Sequence, residues 1–153
     1  MKKLFLYITL SFSLLAFAQN EQLAQYYYEK GDFEKAKIGF EELLQNVPQN
    51  TQYFLRTIDC YQQLQLFDIA EKAIKERFDK YKQSNLLVEL GYNFQLRKDD
   101  TKAKVYYDQA VERIKKNPNE IYSISNAFER KVLLDYALKS YKIATELNPN
   151  FNF

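Results

Sequence analysis

The sequence predicts an all-α fold assembled from about four copies of one helix-turn-helix unit. Three observations point there. Landmark residues recur at steps of 33 or 34 positions along the chain. Within each period the apolar residues return every three or four positions, the spacing of a helix face. Gly and Pro, three of each in 153 residues, are too few for the many tight turns of an all-β chain.

The recurrence is read column by column. Ala36 is followed by Ala70, Ala103 and Ala137, and the same steps carry Phe40 to Ile74, Tyr107 and Tyr141. They also carry Tyr27 to Tyr61, Phe94 and Phe128, and Ala24 to Ile58, Gly91 and Ser125. Self-similarity of this period marks a repeat architecture, in which no unit buries its apolar face alone. Gly31 to Pro48 is the cleanest copy.

The elements follow in order. A helix near 20–30 should stop at Lys30-Gly31-Asp32, where Gly releases the chain and Asp32 caps the next helix, 33–46. Pro48 closes that helix. Helices near 51–64 and 67–81 come next, separated by Gln65-Leu66, and then one near 85–97. Lys98-Asp99-Asp100 repeats the stop-and-cap signal before 101–116. Pro118 opens a helix near 119–131, Val132-Leu133-Leu134 either extends a helix or buries the connection, and the last helix covers 134–147 ahead of Pro149.

This pattern resembles the tetratricopeptide repeat family, whose unit is 34 residues folded as two antiparallel helices. Ala24, Gly91 and Ser125 match its small residue in the first helix. Ala36, Ala70, Ala103 and Ala137 match the small residue of the second, and Pro48 and Pro149 the closing proline. The resemblance covers Asn20 to Asn150, in units near 17–50, 51–83, 84–117 and 118–151. Ile58 departs from it in the second unit, as does Gln65-Leu66, so that helix pair is expected to splay.

The resemblance implies a right-handed α-solenoid whose first helices line a concave, partner-binding face. Carrying the groove positions across selects Gln25, Tyr28 and Glu29 from the first unit, with Glu21, and Asp59, Gln62 and Gln63 from the second, with Gln52. The third gives Tyr92 and Gln95, and the fourth Tyr122, Asn126 and Arg130. The set is rich in Gln and Tyr, which suits an extended peptide or a partner helix. The competing reading is an ordinary solvated face. The aromatic columns themselves belong to packing.

The chain opens Met1-Lys2-Lys3, runs through apolar residues to Leu15, and reaches Ala16-Phe17-Ala18. A basic start, a short apolar run and an Ala-x-Ala site describe a cleaved export signal over 1–18; the alternative, a spanning helix, needs about 20 apolar residues. Its removal takes away Lys2 and Lys3, which brings 22 basic and 20 acidic residues to equality. A neutral chain lacks the basic excess of a nucleic-acid binder. The expected location is secreted or periplasmic, with no membrane insertion after cleavage. Cys60, the single cysteine, reads as a buried filler or, less simply, one half of an intermolecular bridge.

The inventory for chemistry is thin, so no enzyme activity and no cofactor or metal are expected. His, the commonest acid-base group and metal ligand, is absent. No phosphate-binding glycine spacing occurs, and Cys60 has no His to activate it. Glu41-Glu42 reads as a solvated face and Asp99-Asp100 as a helix cap. The last helix carries apolar residues on more than one stripe. It is expected either to continue into further repeats or to dock on a partner or a second copy. The function expected is therefore a protein-interaction scaffold of the cell envelope, or alternatively the sensory front of a larger signalling protein. Export should leave Gln19 at the amino terminus; Edman sequencing of the protein recovered from an envelope or medium fraction checks this, and a retained Met1 would refute it.

Overall fold

The computed structural model describes residues 19–147, so the export segment and the last six residues lie outside the described part. Helix α1 covers 19–29. It is followed by α2 (Phe33–Asn46), α3 (Thr51–Gln63), α4 (Phe67–Tyr81), α5 (Leu86–Leu96), α6 (Asp100–Lys116), α7 (Ile121–Arg130) and α8 (Leu134–Leu147). A single 3-10 turn, Pro118–Glu120, leads into α7. Among the described residues there is no strand. The fold is an all-α helical repeat, as the sequence predicts, with boundaries within a residue or two at most helix ends.

Each first helix is joined to its second by the same turn. One residue in each turn lies in the left-handed region: Gly31 at φ 75°, Gln65 at 58°, Lys98 at 62° and Val132 at 58°. These positions are themselves spaced by 34, 33 and 34 residues. In every copy the next amide donates back to the carbonyl of the aromatic column, Asp32 to Tyr27 (2.9 Å), Leu66 to Tyr61 (2.8 Å), Asp99 to Phe94 (3.0 Å) and Leu133 to Phe128 (2.9 Å). This is the six-to-one bond of a Schellman ending, which satisfies carbonyls the helix would leave unpaired.

The fourth turn therefore neither extends a helix nor buries the connection. Helix α7 ends at Arg130, α8 begins at Leu134, and Val132 and Leu134 are 75 % and 62 % exposed. The second turn lacks its glycine yet closes in the same way, because Gln65 takes the conformation that Gly would adopt without strain. Capping follows the sequence more closely. Asp32 and Asp99 accept from the amides of Lys35 (3.4 Å) and Lys102 (3.1 Å), and Asn50 caps α3 through the Tyr53 amide (3.0 Å). Asp99 also pairs with the Lys102 side chain at 3.0 Å.

The chain divides into two compact bodies, Met1–Leu66 and Phe67–Phe153. In the first, Ala24, Ala36, Phe40, Leu43, Tyr53 and Cys60 form the core. Helices α1 and α2 approach so closely at Ala24 and Gly39 that a Cβ on Gly39 would lie 2.7 Å from that of Ala24. Cys60 is fully buried, and burial, followed by the charge of Asp59, pushes its thiol up to about 12. In the second body the core joins Val88, Phe94, Tyr107, Ile114 and Phe128 with residues of α8. Phe128 and Tyr136 stack with ring centroids 5.2 Å apart. Gly91 lets α5 lie on α6, since a Cβ there would sit 2.3 Å from the Tyr107 ring and 3.1 Å from the Ala103 carbonyl.

These contacts give opposite outcomes for two glycine exchanges. Val132→Gly relieves a β-branched residue of the left-handed conformation and should raise unfolding stability by about 1 kcal/mol. Gly91→Ala should lower it by about 2 kcal/mol, because neither a buried ring nor a backbone carbonyl can yield freely. Urea titration followed by circular dichroism reads both, and equal effects of the two would count against this account.

Candidate functional site: the faces of the first helices

In the first body an open groove of about 500 Å³ runs between α1 and α3. Glu21, Gln22, Gln25 and Glu29 of α1 form one wall, Gln52 of α3 stands opposite, and the rings of Phe40 and Tyr53 lie beneath. The helical spacing of 21, 25 and 29 is what brings three of these side chains to one face. Gln25 Nε2 donates to Glu29 Oε1 at 2.8 Å, and the Tyr53 hydroxyl bonds to Glu21.

The other residues selected from the sequence in this body are placed differently. The Tyr28 hydroxyl donates to Asp59 Oδ2 at 3.2 Å, and the Arg56 guanidinium lies 4.3 Å from the Tyr28 ring centroid. Tyr28 also meets Phe40 edge-on at 6.1 Å. Burial, and then the Asp59 charge, raise the Tyr28 hydroxyl above its ordinary value. These two residues thus brace α1 against α3. Gln63 is exposed, whereas Gln62 is only 3 % exposed and offers almost no surface to a partner.

In the second body Tyr122, at 57 %, and Asn126 are exposed on α7. Gln95 is exposed as well, but its Oε1 accepts from the Tyr107 hydroxyl at 2.7 Å. One repeat further on, the Tyr141 hydroxyl donates to Glu129 Oε1 at 2.8 Å, so in the third and fourth units this column ties the first helix to its second. Tyr92 is half-buried, with Lys131 Nζ 4.6 Å from its ring centroid.

Arg130 belongs to a cluster that sequence reasoning did not anticipate. It pairs with Glu89, a carboxylate with no exposed surface, and Lys131 Nζ lies 3.0 Å from the other oxygen of the same group. The Lys131 side chain is itself only 7 % exposed. A buried carboxylate is tolerated only when paired, and here α5 supplies the anion while the end of α7 supplies both cations. The available signal was an acid set within Leu86, Leu87, Val88 and Leu90.

No grouping of His, Cys, Asp or Glu that could hold a metal ion occurs among the described residues. No helix among them is long and apolar enough to cross a membrane. Removing one cation leaves Glu89 to Arg130 alone: Lys131→Met is expected to cost about 2 kcal/mol, while adding Glu89→Leu should restore much of that loss. A double-mutant cycle in urea measures the coupling, and additive losses would show that the pair does not act as one.

No protein-family model matches the sequence, and no curated protein matches it either. Among solved structures, the chain is similar to two of MamA, a TPR-like helical repeat protein. One has a TM-score of 0.52 at 17 % identity, over 88 % of this chain and 74 % of that one. The other has a TM-score of 0.50 at 18 % identity, over 84 % and 76 %. At such identities the likeness concerns the fold, and it agrees with the repeat columns: the chain has a TPR-like, all-α helical repeat fold.

Proposed function

We propose that this chain is a non-catalytic scaffold that binds a peptide or a partner helix on the polar faces of its first helices. The observation that carries the proposal is the groove between α1 and α3, open to solvent, floored by aromatic rings and walled by amide and carboxylate side chains. Amide side chains bond to main-chain groups of an extended partner, and ring faces give contact area at small entropic cost. In the second body Tyr122 and Asn126 present the same chemistry from α7. The TPR-like fold supports this reading, since stacked helix pairs expose extended binding surfaces. The export signal read from residues 1–18 would place the scaffold in the cell envelope or outside the cell.

A pull-down compares wild type with a Gln25→Ala/Tyr122→Ala/Asn126→Ala variant, using an envelope extract. All three positions are at least partly exposed, so the variant should keep its helicity. Loss of a specific partner retained by the wild type is expected, and unchanged capture would overturn the assignment of these faces.

A further inference from the structure

We propose that the groove of the first body takes a segment of a partner polypeptide that bears lysine or arginine residues, its cations held by Glu21 and Glu29. The proposal rests on the scaffold reading and names the partner chemistry of that site. Glu21 and Glu29 stand on one wall, eight residues or about 12 Å apart along α1. The rest of the lining is Gln22, Gln25, Gln52 and three aromatic residues, with no Lys or Arg.

The carboxylates of this groove are unlike those that the protein's own lysines neutralise. Asp32, Glu34, Glu71 and Asp108 are each within 3.5 Å of a lysine nitrogen. Glu21 and Glu29 form no such pair with a Lys or Arg among the described residues. They are held instead by neutral donors, Glu29 by the Gln25 amide at 2.8 Å and Glu21 by the Tyr53 hydroxyl. A neutral donor fixes the direction of a carboxylate and leaves its charge in place. The neighbouring cation, Lys30, is turned onto the Tyr26 ring, 5.7 Å from its centroid.

The groove therefore carries two oriented negative charges over an aromatic floor. Tyr26, 53 % exposed at its lip, offers a ring along which the methylene stem of a lysine or arginine can lie. The amides of Gln22 and Gln52 remain to meet main-chain groups. An acidic segment or a phosphate backbone would be repelled by the same charges.

The test uses the full chain, immobilised, against a displayed random nonapeptide library, side by side with a Glu21→Gln/Glu29→Gln variant. Gln keeps the size and the acceptor oxygen and removes only the charge. Enrichment of Lys- and Arg-bearing peptides on the wild type alone is expected. Synthetic copies of those peptides should bind the variant about tenfold more weakly by fluorescence anisotropy, the loss of two partly exposed ion pairs. If both proteins enrich the same neutral or acidic peptides, the inference fails and the scaffold reading stands. If neither enriches any peptide and the pull-down also captures nothing, both fail together.

Discussion

Everything in this molecule depends on one backbone turn that recurs four times along the chain. A left-handed residue ends each first helix, and the following amide reaches back to the carbonyl of an aromatic residue five positions earlier. That one backbone bond sets where the second helix starts and so which of its residues face inward. Small side chains can then meet where the helices touch, at Ala24 against Gly39 and at Gly91 against Ala103 and Tyr107. Were any turn a residue longer, the second helix would rotate by about 100° and bring a polar stripe to the core.

The period was legible because it is written in packing residues. Ala36, Ala70, Ala103 and Ala137 are all buried, and a larger side chain at any of them would separate two helices. The turns were legible only in part. Gly31 announces a left-handed position and Lys98-Asp99-Asp100 a stop and a cap, but Gln65 and Val132 occupy the same conformation without any compositional sign. A backbone bond that recurs in four copies outweighs the strain of about 1 kcal/mol that each non-glycine residue brings. The reading of Val132-Leu133-Leu134 as a helix or a buried link failed for that reason.

The candidate site was less legible than the fold. Helical spacing correctly gathers Gln25 and Glu29 beside Glu21, because all three lie on one stripe of one helix. It does not show how far a residue is covered by its neighbours, and Gln62 of α3, one repeat after Tyr28, is buried. Nor does it show contacts made across long separations. Glu89 and its partners Arg130 and Lys131 lie about forty residues apart, joined only once α5 and α7 pack together.

The buried thiol of Cys60 bears on how the protein meets its surroundings. A group that is fully enclosed and whose ionisation is pushed up to about 12 is almost entirely protonated in any ordinary buffer, and the thiolate is the species that attacks disulfides and oxidants. The folded chain is thus indifferent to redox potential. It needs no oxidant to mature and presents no reactive sulfur, so material made in a reducing host and material made in an oxidising one should be the same molecule.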